Sequence, residues 1–133
     1  MFRTLTAHWR PILLSLFLFA VNGYICLRLF SVEFLNNLSS NDGTVISLAR
    51  FYQQHGTGNG WFPWFDGGMP IENVYQPLLP ALAAVVGKLS GWPIGRALHF
   101  TLGVFYCFGP VALFLFAWEW SESLATAFIA GIA

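Results

Sequence analysis

The sequence predicts an all-α fold: a polytopic bundle of transmembrane helices with a long extracytoplasmic first loop that contains an interfacial amphipathic helix. Three observations lead there. Hydrophobic residues make up 56% of the chain and charged residues 9%, which lies above and well below the usual globular ranges and marks an integral membrane protein. Apolar runs recur along the chain, separated by segments rich in glycine, proline and polar residues. The bases alternate in sidedness, as the positive-inside rule requires. The formal net charge of zero leaves no basic footprint for nucleic acid.

Residues 1–10 form the predicted cytoplasmic N-terminus, with Arg3 and Arg10 as its bases. The first span is expected over 11–30, where a helix would rise ~30 Å, the thickness of the hydrocarbon core, with Pro11 tolerated in its first turn. No small-residue cleavage pattern closes this run, so it reads as an uncleaved helix. A weaker apolar segment covers 76–89, with Pro77 and Pro80 at its start. It is short, so a re-entrant or a tilted, shallow span are both open. The next span is expected over 97–118, kinked at Gly109 and Pro110 because proline removes an amide donor and crowds the preceding turn. A fourth begins at 124–133, and the chain is expected to be truncated within it. Membrane domain 11–133 then holds everything after the N-terminus. Cys26 and Cys107 fall inside apolar runs and read as small buried hydrophobes.

If 76–89 spans, Arg3, Arg10, Lys88 and Arg96 share one side, while loop 31–75 holds Glu33, Asp42, Asp66 and Glu72 against Arg50 alone. The N-terminus is then cytoplasmic and the loop outside, which suits a bacterial inner (plasma) membrane. Arg28, near the outer end of the first span, would snorkel to the interface.

The loop is where the chain spends its chemistry. Residues 43–55 have helical period, with Val45, Leu48, Ala49 and Tyr52 on one face and Ser47, Arg50 and Gln54 on another. Two placements fit: in the interface plane with Phe51 and Tyr52 at headgroup depth, or packed on the protein's own helices. Asn41 and Asp42 stand at its start, so Asp42 reads either as an N-cap or as a chemical carboxylate. Beyond Gly56, Gly58 and Gly60 come Trp61, Phe62, Pro63, Trp64 and Phe65. These aromatics suit a membrane belt or a stacking platform for a sugar or isoprenoid. Asp66-Gly67-Gly68 predicts a tight turn with positive φ. Glu72 and Tyr75 stand at the entry to the 76–89 segment, where Glu72 reads as a solvated loop charge or as part of a polar pocket. The candidate substrate-binding residues are therefore Trp61, Trp64, Asp66, Glu72 and Tyr75. Asn37-Leu38-Ser39 is a glycan acceptor only in a eukaryotic secretory setting.

A first span, an acidic residue early in the outer loop, an amphipathic helix, then WFPWFDGGMP and YQPLLPAL leading into a short apolar segment: this order resembles the N-terminal part of the GT-C superfamily of polytopic glycosyltransferases. Within it the chain is most similar to the bacterial membrane domain labelled as 6-pyruvoyl-tetrahydropterin-synthase-related, over about residues 10–133. The resemblance implies transfer of a sugar from a polyprenyl-phosphate-linked donor on the outer face. It implies Asp42 as catalytic residue, a general base on the acceptor or a holder of a divalent cation such as Mg²⁺ or Mn²⁺. Asn41-Asp42 stands where better-known members have an acidic pair. Two other classes are open: a transport-related bundle and a non-catalytic membrane protein of cell-envelope biogenesis. Transport calls for charges within spans, and the polar residues available there are Asn22, Arg28 and His99.

Overall fold

The computed structural model describes residues 9–33, 40–57, 60–64, 67–71 and 76–132. It is mostly helical, in the order α1 (Trp9–Ile25), α2 (Ser40–His55), strand β1 (Trp61–Phe62), strand β2 (Met69–Pro70), α3 (Leu78–Ser90), α4 (Ile94–Ser121) and α5 (Leu124–Ile132). The chain divides into two compact units: one holds 1–27 and 103–133, the other 28–102.

In the first of these units α1, the second part of α4 and α5 share a core of Leu18, Val111, Phe114 and Ala127. Close helix approach depends on small residues here. A Cβ placed on Gly131 of α5 would meet Leu18 Cδ1 at 2.9 Å, Phe114 Cβ at 3.1 Å and the Pro110 carbonyl oxygen at 3.2 Å. Large apolar side chains on the opposite faces, among them Leu16 and Phe17 on α1, Phe116 and Trp120 on α4 and Ile129 on α5, are left exposed. Cys26 and Cys107 are free and buried, as small hydrophobes. Asn22 donates its side-chain amide to the Leu18 carbonyl at 2.9 Å, satisfying itself within its own helix.

Helix α4, 28 residues long, is the one helix among the described residues that is long and apolar enough to cross a membrane. It exceeds the expected 97–118 at both ends and runs unbroken through Pro110. The first expected span is shorter than read. The α-helix ends at Ile25, Cys26 makes a turn, and Leu27–Phe30 forms a 3₁₀ turn that carries Arg28 exposed. A 17-residue helix rises only ~25 Å. Hydropathy alone cannot see that change of winding, because Leu27, Leu29 and Phe30 are as apolar as the helix before them. Helix α3 has 13 residues, about 20 Å, and is apolar but shorter than a full crossing at right angles needs. Gly91 ends it in the left-handed region (φ 71°), donating its amide to the Gly87 carbonyl. Helix α5 appears where the fourth apolar segment was expected.

In the unit of residues 28–102, α2 packs on α3. Ile46 and Ala49 meet Ala83, Ile94 and Leu98 on one flank, and Leu48, Phe51 and Tyr52 meet Ala84, Phe62 and Ile71 on the other. Each large side chain removed from water this way contributes about 1.5–3 kcal/mol of transfer free energy. Of the two placements read for α2, this packing matches the second: Phe51 and Tyr52 are buried against their own unit, and the apolar arc also takes in Ile46 and Phe51. Two glycines permit the approach of the helices. A Cβ on Gly87 would stand 3.1 Å from Ile94 Cδ1, and one on Gly95 would run into the Glu33 carbonyl oxygen.

The short strands β1 and β2 pair antiparallel, Trp61 opposite Pro70 and Phe62 opposite Met69. They are an addition to the expected all-α fold. Two-residue strands carry too little alternation to be read from sequence.

Candidate functional site

The C-terminal half of α2 and the β1–β2 ribbon together form a cleft. Gly56 ends α2 with φ 78° and donates its amide to the Tyr52 carbonyl at 2.8 Å, which turns the chain back towards Gly60 and β1. The Ile71 amide then donates to the Gly60 carbonyl at 2.9 Å, extending the ribbon past its strands. Gly67 and Gly68 have φ of 82° and 101°, the positive values expected of the Asp66-Gly67-Gly68 turn. The Trp61 indole occupies the space a Cβ on Gly68 would need.

Beneath the ribbon, Phe62 is buried and anchors an aromatic cluster. Its ring meets Phe51 edge-on at 5.4 Å and Trp64 at 5.9 Å, and Phe51 meets Trp64 at 5.8 Å. These offset, edge-to-face geometries are the favourable ones for aromatic quadrupoles. They hold Trp64 in place while leaving it 51% exposed, and Trp61, paired with Pro70 in the ribbon, is 57% exposed. The resulting cleft, about 520 Å³, has Phe51, His55, Trp61, Pro63, Trp64 and Ile71 among its walls. A second, polar depression of about 380 Å³ is formed by Ser47, Arg50 and Gln54 with Trp64 itself. Trp64 thus lines both an apolar, aromatic recess and a strip of hydroxyl, guanidinium and amide.

The structure brings together two of the sequence-derived candidates, Trp61 and Trp64. Asp42 is elsewhere. Helix α2 begins at Ser40, three residues earlier than read, so Asp42 lies in its first turn rather than capping it. A carboxylate there complements the positive end of the helix dipole. Asp42 and the His55 end of the helix are ~20 Å apart along its axis, so Asp42 does not reach the aromatic cleft. Asp66, Glu72 and Tyr75, and the Asn37-Leu38-Ser39 sequon, lie outside the described residues. No group of three or more His, Cys, Asp or Glu residues gathers among the described residues.

His99, the other polar residue noted within an apolar run, is fully buried, with Nδ1 3.3 Å from the Val32 carbonyl oxygen and no partner for Nε2 among the described residues. Arg96 lies with its guanidinium 4.5 Å over the Trp92 ring.

Sequence reasoning placed Arg50, Ser47 and Gln54 on one face but gave them no role, and it passed over His55. Two signals pointed to it: the Phe51-to-His55 spacing of four, which puts two rings on one face, and Gly56 immediately after, which marks the helix end. No family model, curated protein or solved structure matches this chain.

Proposed function

We propose that this chain acts in a polytopic membrane glycosyltransferase that takes a sugar from a polyprenyl-phosphate-linked donor on the extracytoplasmic face, and that the aromatic cleft is its glycan-binding surface. The observation that carries the reading is Trp64. It lines both the aromatic recess and the polar depression of Ser47, Arg50 and Gln54. A pyranose ring has an apolar C–H face and a polar rim, so an exposed indole beside hydroxyl and amide groups meets both. The Arg50 guanidinium adds a planar fork of donors suited to a phosphate. Apolar α4 supplies the membrane attachment such a lipid-linked donor requires.

In this reading the acceptor nucleophile attacks the anomeric carbon, the polyprenyl phosphate leaves with the electrons of the broken C–O bond, and the Asp42 carboxylate takes the nucleophile's proton. The ~14 Å along α2 between Asp42 and Phe51, the cleft residue on that helix nearest to it, assigns the cleft to a part of the glycan remote from the reacting carbon. Binding energy gathered there positions the substrate at the far end of α2.

A second reading rests on the same distance. Asp42 in the first turn of α2 has a sufficient structural reason to be there, and the chain would then bind glycan without catalysing transfer. Sugar transfer by the intact protein separates the two. Trp64→Ala should weaken glycan use at least tenfold. Asp42→Asn removes a proton acceptor, and loss of a general base typically lowers rate by about 10² to 10⁴. Asp42→Ser, also without a carboxylate, is the control. If both Asp42 variants transfer at wild-type rate, Asp42 is structural and is not the base; if the intact wild-type protein transfers no sugar, the non-catalytic reading replaces the first.

A further inference from the structure

His55 is the titratable side chain that lines the aromatic cleft among the described residues, and nothing in the reading above uses it. It lies in the last turn of α2. Its ring stacks on Phe51 at 4.4 Å between centroids and 20° between planes. Its Nδ1 lies 3.3 Å from the Phe51 carbonyl oxygen. A carbonyl only accepts, so this contact is a hydrogen bond when Nδ1 carries the proton; in the neutral imidazole Nε2 then holds the lone pair. Stacking fixes the plane of the ring and the hydrogen bond fixes its tautomer. The side chain is exposed, so Nε2 meets whatever enters the cleft.

We infer that His55 is a specificity-determining residue: its Nε2 accepts a hydrogen bond from a hydroxyl of the saccharide stacked on Trp61 and Trp64. The cleft walls explain why one acceptor would discriminate. Phe51, Trp61, Pro63, Trp64 and Ile71 present apolar surface that grips a pyranose face without distinguishing one hydroxyl pattern from another. An oriented acceptor at the rim does distinguish. A sugar lacking that hydroxyl would leave Nε2 desolvated and unpaired, and sites built to bond a substrate hydroxyl reject the analogue that lacks it far more strongly than apolar pockets reject a missing methylene. Arg50, which shares the neighbouring depression with Trp64, donates only, so His55 is the side-chain acceptor this cleft offers among the described residues.

The inference rests on the proposal that the cleft binds glycan, and one titration tests the two separately. The full chain, in nanodiscs of phosphatidylcholine and phosphatidylglycerol, is titrated with a panel of methyl hexopyranosides and their monodeoxy analogues, reading tryptophan fluorescence. The expected result is saturable quenching that Trp64→Ala removes, with one deoxy position in the best glycoside weakening binding about tenfold. His55→Phe, which keeps an aromatic ring on Phe51 but has no acceptor, should bind that deoxy analogue as wild type does and bind the parent glycoside no better. His55→Gln, whose amide oxygen accepts, should recover part of the discrimination. Wild-type discrimination that persists in His55→Phe overturns the role of His55 and leaves the glycan cleft standing. Absence of saturable quenching by every glycoside overturns both.

Discussion

The unit of residues 28–102 and the unit formed by 1–27 with 103–133 draw on similar side chains and use them in different ways. In the latter, Leu18, Val111, Phe114 and Ala127 fill the core, while Leu16, Phe17, Phe116, Trp120 and Ile129 point outwards. Apolar side chains exposed in this way suit a hydrocarbon solvent better than water. In residues 28–102 the large side chains of α2 point inwards, Leu78, Val85 and Leu89 of α3 stay exposed, and α2 with the ribbon forms a cleft beside a polar depression. Hydrophobic content therefore does not locate the chemistry of this protein. Function follows the direction in which apolar side chains face, and the glycines decide how close the backbones come.

Glycine gives the sharpest contrast between the two units. The Cβ of an alanine at position 95 would run into the carbonyl oxygen of Glu33, a backbone atom that cannot swing aside. Alanine is worth up to ~1 kcal/mol over glycine inside a helix, but overpacking of this kind typically costs about 1–3 kcal/mol and more against backbone. Gly95→Ala is therefore expected to destabilise the protein by about 2 kcal/mol, the largest effect predicted here. Thermal unfolding in detergent measures it, and a melting temperature equal to wild type would show that the Glu33 backbone yields freely.

Gly131 sharpens the comparison from the other unit. Its nearest obstacle is the flexible end of Leu18, with Phe114 Cβ and the Pro110 carbonyl a little farther away. Partial yielding should bring the cost of Gly131→Ala down to about 1 kcal/mol. Gly109, in the same unit, is the control: a Cβ there meets nothing within 4 Å, so Gly109→Ala should leave the melting temperature at or slightly above wild type. If Gly131→Ala proves as harmless as Gly109→Ala, the helices of that unit do not depend on close approach.

The sequence announced the helices more clearly than the site. Composition and apolar runs gave the helical class and the positions of α4 and α5, since both signals are sums over many residues. The end of α1 was misplaced because a 3₁₀ turn built from Leu27, Leu29 and Phe30 has no hydropathic signature. Asp42 was placed one step outside its helix for a related reason: caps and first turns favour the same acidic residues. Trp61 and Trp64 stood out as a pair, and the structure sets them in one cleft. His55 did not stand out, because its importance comes from a ring stacked on Phe51 and a ribbon folded over both. Neither can be read from a single histidine at the end of an amphipathic stretch.

The smallest effect expected is at Tyr52, and it tests whether α2 is packed as tightly as the burial of its inner face implies. Tyr52 is buried among Leu48, Phe62 and Ala84. Burial disfavours the phenolate and raises the Tyr52 pKa above its ordinary value of 10.0. The native state thus holds the phenol proton more tightly than the unfolded chain does. The stability from this difference is fully present below the unfolded pKa and is lost as pH rises through the native one. Unfolding followed from pH 8 to pH 11 should show wild type losing stability in the alkaline range more steeply than Tyr52→Phe, with the two profiles parallel at neutral pH. Identical alkaline slopes would mean that the Tyr52 hydroxyl stays solvated, and that α2 meets its neighbours less closely on the Leu48 flank than on the Ile46 flank.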